Sequence, residues 1–306
     1  MKKTTKQPAK KKAAADKGLL VVGSVAYDHV KTPHGEASEA LGGAATYFSV
    51  AASLLYRPVQ LVGVVGEDFP DEVVKMLERR GIDCSGLESV PGKTFRWKGH
   101  YDGDMNAAVT EDTQLNVFAS FKPKLPESFR APDYLFLANI DPELQLDVLK
   151  QIKRPRTVAA DTMNYWISSK LDTVKKMIAE VDFMVLNDAE ALQLTGKSHL
   201  LAAAKEVLQM GPKVVAIKKG AHGCMLVGEE DIAVIPAVLC VLLLVLGVRE
   251  PERAAGAARV NPIGRASLKR LPRAYWWVVA VGAVFTLARF SEAFLVLRAE
   301  QTGIAL

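Results

Sequence analysis

The stretch Gly18-Leu-Leu-Val-Val-Gly-Ser-Val-Ala-Tyr-Asp28 sets the reading of this chain. Leu19 to Val22 is a short apolar run closed by Gly23, the profile of a parallel strand buried on both faces. Downstream, Gly42-Gly43-Ala44-Ala45-Thr46 opens a small apolar helical segment, Ala44 to Leu55, able to pack closely on a sheet. Val59–Val65 reads as the next strand, and Asp71–Arg80 as an amphipathic helix ended by Gly81. Strand-length apolar runs recur at Tyr134–Ala138, Thr157–Ala160, Phe183–Leu186 and Val214–Ile217. Helical segments, Pro142–Gln151, Leu171–Ala179 and Leu200–Gln209, separate them. Such alternation predicts a doubly wound α/β domain. Thr94–Tyr101 and Asn116–Phe121 differ: they read as extended segments on either side of the turn-rich Asp102-Gly-Asp-Met-Asn106 and predict a small antiparallel flap beside the main sheet.

Composition narrows the function classes. The chain has 306 residues, 49% of them hydrophobic, enough for a large core. Its net charge of +5 is unevenly spread. Residues 1–17 carry seven Lys and one Asp, and residues 249–273 carry seven Lys or Arg and two Glu. The balance over 18–248 is acidic, which argues against nucleic acid as a partner. The three cysteines form no C-x-x-C pair and the five histidines show no metal-ligand spacing, so neither a disulfide nor a zinc site is expected. Residues 1–17 read as a disordered basic tail, because no apolar run long enough for a signal peptide follows.

Pro91-Gly92-Lys93-Thr94 has the ending of a P-loop, but the motif needs a glycine at position 87, which is Leu, and a following helix, where a strand is expected. Gly42 and Gly43 would let backbone approach a ligand at a helix N-terminus, or would simply pack a tight loop against that helix. Asp28 is expected just past the carboxyl end of the first strand, where open α/β sheets gather ligands. A carboxylate there can accept from two sugar hydroxyls or cap a loop.

Taken in order, Gly23-Ser24, Asp28, Gly42-Gly43, Val62-Gly-Val-Val-Gly66-Glu-Asp68, Asn187-Asp-Ala-Glu190 and Ile217-Lys-Lys-Gly220-Ala-His-Gly223 resemble the PfkB, or ribokinase-type, carbohydrate kinases over about 220 residues. The resemblance implies a ribokinase-like three-layer αβα sandwich with a small β lid over residues 18–237, and phosphoryl transfer from ATP to a hydroxyl of a sugar or nucleoside. It implies that Asp28, Gly42 and Gly43 contact the sugar. Thr46 stands where many relatives carry Asn, and Thr94 falls in the lid. Asn187 and Glu190 would organise Mg2+ and phosphates, with Glu190 the metal-facing carboxylate; the alternative is a helix cap and its first-turn acid. Lys219, Gly220 and Gly223 would flank the nucleotide. The family also implies a cytoplasmic kinase unit and a possible homodimer.

Such kinases continue to D-T-x-G-A-G-D, whose glycines form an anion hole and whose last Asp is the general base. No G-A-G-D occurs in these 306 residues, so the kinase unit is expected to be truncated and impaired. Instead Ile232–Val248 is uncharged, Arg249–Arg273 is basic with three prolines, and Tyr275–Leu297 is mostly apolar. Residues 238–306 resemble a fragment of a major facilitator superfamily transporter. A two-helix membrane hairpin, with membrane contact through residues 232–297 and inner-membrane association, is the expectation. The positive-inside rule would put the kinase-like unit outside, away from ATP. That conflict marks a join of unrelated fragments near Ala237, and the rival reading of the whole is a catalytically silent, membrane-anchored chimera or transporter remnant.

Overall fold

The apolar runs do form a parallel sheet. The computed structural model describes residues 17–33, 35–101 and 108–237. In chain order the first half forms β1 (Leu19–Val22), β2 (Ala26–Thr32), β3 (Gly35–Gly42), α1 (Ala44–Ser53), β4 (Val59–Gly66), α2 (Asp71–Arg79), β5 (Ile82–Val90), β6 (Phe95–Tyr101) and β7 (Ala108–Gln114). The second half forms β8 (Tyr134–Leu137), α3 (Pro142–Gln151), β9 (Thr157–Asp161), α4 (Asn164–Ser169), α5 (Leu171–Ala179), β10 (Phe183–Asn187), α6 (Asp188–Thr195), α7 (Leu200–Leu208), β11 (Val214–Lys218), β12 (Cys224–Gly228) and β13 (Ile232–Ile235).

Nine strands make one mixed sheet in the order β13-β12-β11-β10-β9-β8-β1-β4-β5. All neighbours from β5 to β11 run parallel, and β12 and β13 add an antiparallel hairpin at the far edge. From β1 the chain builds towards β5 on one side, then returns to build from β8 towards β11 on the other. Its switch point lies between β1 and β8. β4 is buried along its whole length, as a central parallel strand should be.

Two apolar layers flank the sheet. Val148, Ile167, Val174, Met177, Ala191, Ala203 and Val207 from α3–α7 pack on one face with Leu20, Leu135, Met184 and Ile217. Ala45 of α1 and Leu77 of α2 pack on the other with Val21, Leu61 and Phe136. Three layers therefore exist around β1, β4 and β8. Among the described residues no helix packs on the second face of β9–β13, where Phe183, Val185, Val214 and Leu226 stay half-buried.

The flap is a separate four-stranded sheet, β3-β2-β6-β7. Two expectations need correction here. Asn116–Phe121 is not a flap strand: Asn116–Ser120 is a 3-10 turn that starts at a positive φ of 47° and carries Phe118 back to the main core. The flap instead recruits β2 and β3, polar strands with too little alternation to stand out. Ile232–Ile235, expected to begin a membrane span, is an edge strand paired antiparallel with β12, with Ile232 50% and Val234 59% exposed. Its apolar residues extend a sheet edge rather than a helix. Among the described residues no helix is long and apolar enough to cross a membrane. Residues 1–16 and 238–306, with the basic tail, the transporter-like fragment and the hairpin, lie outside the described residues.

Candidate substrate site at the flap hinge

Ligands in doubly wound sheets sit outside the carboxyl ends of the strands at the switch point. Here that edge is braced by Gln145 of α3, fully buried, whose Nε2 donates to the carbonyls of Leu137, Ala138 and Asp161 at 3.0–3.2 Å. One side chain thus fixes the ends of β8 and β9 beside β1.

Asp28 lies within β2, not in a loop after β1. β2 pairs with β3 so that Ala26 faces Gly42 and Asp28 faces Ala40, putting Asp28 and Gly42 on one face of the flap. Gly42 is there because the Asp28 carboxylate occupies the space where its Cβ would be. Gly43 carries φ 95° and ψ 139°, and a Cβ on it would strike the Ser24 carbonyl and the Ala26 nitrogen. Ser24 then caps α1 from a distance: its Oγ accepts from Ala44 N–H at 3.0 Å and its carbonyl from Ala45 N–H at 3.1 Å. Two donors at the helix head, expected to be free for a ligand, are therefore already engaged. No local pattern announces Ser24, because it caps a helix 20 residues further along. Thr46 lies on the buried side of α1, 2% exposed, and its hydroxyl has no hydrogen-bond partner among the described residues.

The flap is tied to the main sheet by a polar latch. Thr94, fully buried just before β6, donates its hydroxyl to Asp68 at 2.6 Å and its N–H to the same oxygen at 2.8 Å. The Thr94 hydroxyl also accepts from Gly66 N–H at 3.0 Å. Arg96 on β6 reaches Asp68 at 2.8 Å and grips Glu39 of β3 through two bonds of 2.9 and 3.1 Å. Its guanidinium lies 5.3 Å from the centre of the Tyr27 ring. Burial, then the charges of Asp68 and Glu39, push the Tyr27 hydroxyl up to about 12. Burial acts to raise the Asp68 carboxyl, but the Thr94 and Arg96 hydrogen bonds outweigh it and hold Asp68 below its usual range. A carboxyl depressed on folding contributes stability above its unfolded value, near 3.8, and loses that contribution as pH falls through the folded value. Urea titrations should therefore show the protein weakening below about pH 4, with Asp68→Asn losing less over that interval. Thr94→Ala should cost about 1–3 kcal/mol at pH 7, since it leaves Gly66 N–H without its acceptor. An unchanged midpoint for Thr94→Ala would show that the latch contributes nothing.

Asn187 ends β10 and caps α6: its Oδ1 accepts from Glu190 N–H at 2.7 Å, and Glu190 Oε2 accepts from Asn187 N–H at 2.7 Å. Such a reciprocal capping box satisfies two helix-end donors. Glu190 is 6% exposed. Lys219, Gly220 and Gly223 form the turn after β11, closed by Lys219 N–H donating to the Gly223 carbonyl at 2.8 Å. This turn and the cap stand side by side, because β10 and β11 are neighbours with Asn187 opposite Lys218. Asp28, Gly42 and Gly43 form a second group at the flap. A cavity of about 200 Å³ also opens in the flap, lined by Tyr27, Asp28, His29, Arg96, Trp97 and Lys98 together with Glu39 and Asp112.

A doubly wound sheet accompanied by a separate four-stranded flap is the ribokinase-like architecture. A nucleoside kinase from Methanocaldococcus jannaschii superposes with a TM-score of 0.57 at 19% identity, covering 72% of this chain and 76% of that one. A putative ribokinase II from E. coli, solved with ATP and Mg2+, superposes with a TM-score of 0.60 at 14% identity, covering 72% and 78%. The chain belongs to the pfkB family of carbohydrate kinases, whose model matches residues 16–241. It is also 30% identical over 213 residues to a cytidine kinase of Thermococcus kodakarensis, covering 68% of this chain and 74% of the relative.

Proposed function

We propose that the chain holds the pentose of a nucleoside through Asp28 and the Gly42–Gly43 backbone, and ATP over the ends of β10 and β11, in the arrangement for phosphoryl transfer to a sugar hydroxyl. The observation that carries this is the Asp28 carboxylate seated against Gly42 on one flap face, where two adjacent hydroxyls can donate to it. Kinship to a cytidine kinase favours a nucleoside, and the fold shared with an ATP-bound structure favours ATP.

Magnesium fits only loosely. Among the described residues no three His, Cys, Asp or Glu side chains gather to hold a metal. Mg2+ keeps its waters and takes phosphate oxygens readily, so one nearby carboxylate acting through water suffices. Glu190 is that carboxylate in this proposal, with Asn187 fixing its position. The bound Mg2+ would neutralise phosphate charge. Lys219, with Gly220 and Gly223, would line the nucleotide. The anion hole and general base that complete phosphoryl transfer have no counterpart in residues 17–237, so on this reading these residues bind better than they turn over. The same reading puts the kinase unit in the cytoplasm, where ATP is abundant.

Calorimetry with cytidine and with ribose tests the proposal. Asp28→Ala should lose about 1.5–3 kcal/mol of binding per charged hydrogen bond. Gly42→Ala, by displacing the carboxylate, should weaken binding while Asp28 remains in the sequence. Affinities equal to wild type in both variants would overturn the assignment.

A further inference from the structure

The face of the flap that carries Asp28 also carries an aromatic side chain that the proposed sugar contacts do not employ. β2 and β6 pair in parallel with Asp28 opposite Trp97, so both side chains emerge on the same face one strand apart. Phe95, two residues earlier on that face, is stacked on Phe118 at 5.1 Å and 11°, so it is spent in packing. Trp97 is the next ring outward and remains half-buried.

Its pose is fixed. The indole Nε1 donates to Thr110 Oγ1 of β7 at 3.1 Å. The ring edge lies over Gly99, where a Cβ would strike it. An indole pinned flat against a sheet by its own N–H offers a π-face, and any nucleobase can stack on such a face. Neighbouring strands lie about 4.8 Å apart. That is roughly one glycosidic step from a pentose held at Asp28.

We infer that Trp97 is the platform on which the base of a nucleoside stacks, and hence the residue by which this chain prefers nucleosides to free pentoses. The inference rests on the reading that Asp28 and Gly42 hold the pentose. Calorimetric titration of the full chain with cytidine and with ribose separates the two. Trp97→Ala should weaken cytidine about 5- to 150-fold, the range of one base–aromatic stack, and leave ribose within about twofold. Trp97→Phe, which keeps a ring in place, should retain most of the cytidine affinity and guards against a folding defect. Asp28→Ala should weaken both ligands together. Should Trp97→Ala bind cytidine like wild type, or lose ribose and cytidine alike while melting normally, the platform is refuted and the Asp28 reading stands. Wild-type protein that binds neither ligand refutes both.

Discussion

Replacing residues 238–306 with the carboxyl-terminal segment of a complete pfkB-family member should raise ATP-dependent nucleoside phosphorylation by roughly 10⁴- to 10⁷-fold. On the function proposed above, the graft would supply two elements that have no counterpart in residues 17–237. A preorganised anion-hole donor is worth about 10²–10³ in rate, and a positioned general base about 10²–10⁴. Phosphoryl transfer asks little covalent chemistry of the protein, so positioning and charge stabilisation account for most of the acceleration. The graft would also supply elements to clothe the second face of β9–β13, which the described helices leave half-bare. Its success is read as turnover in a coupled ADP assay, with Asp28→Ala in the graft as the control that must fall. Ordinary kinase rates from the unmodified chain would show the reading of its missing machinery to be wrong.

Gly43→Ala should be severely damaging, costing roughly 2–6 kcal/mol, the sum of backbone strain and forced overpacking. At φ 95° a side chain is strained wherever it points, and here the clash is with the backbone of Ser24 and Ala26. A flexible tip could move aside; a peptide carbonyl that caps α1 and a strand nitrogen cannot. Since domains are stable by about 5–15 kcal/mol, this loss could remove much of the fold. Gly42→Ala provides the contrast, because only the Asp28 side chain must yield. Chemical denaturation should show a large fall for Gly43→Ala and a small one for Gly42→Ala. Equal falls would mean that the two glycines serve the same purpose.

What could be read from the residues follows where burial is two-sided. Leu19–Val22, Val214–Ile217 and Leu171–Ala179 announce themselves because continuous or helical apolar spacing is what a covered sheet demands. β5, with Asp83, Gly86 and Glu88 among its residues, lies at a sheet edge and shows no such pattern. β2 and β3 are quieter still, since their polar and small residues break any clean alternation, and so Asp28, expected just past the carboxyl end of β1, sits on a strand that the sequence does not announce. The candidate site shows in the residues as its glycines and its N-x-x-E spacing, while its connections do not show there. Ser24 to α1, Asp68 to Thr94 and Asp28 to Trp97 join residues 20 to 69 positions apart, and only the folded chain brings them together.

The reciprocal cap formed by Asn187 and Glu190 bears on how such a chain drifts over generations. A motif that looks like catalytic equipment here also holds the start of a helix on the central sheet. If the pair also serves Mg2+ and phosphates, as proposed above, selection for turnover and selection for a foldable product act on the same two side chains. A descendant freed from the first would still be kept from losing them by the second. The survival of N-x-x-E in a lineage is then a record of folding, and speaks for past or present activity only when the residues that cap nothing have survived beside it.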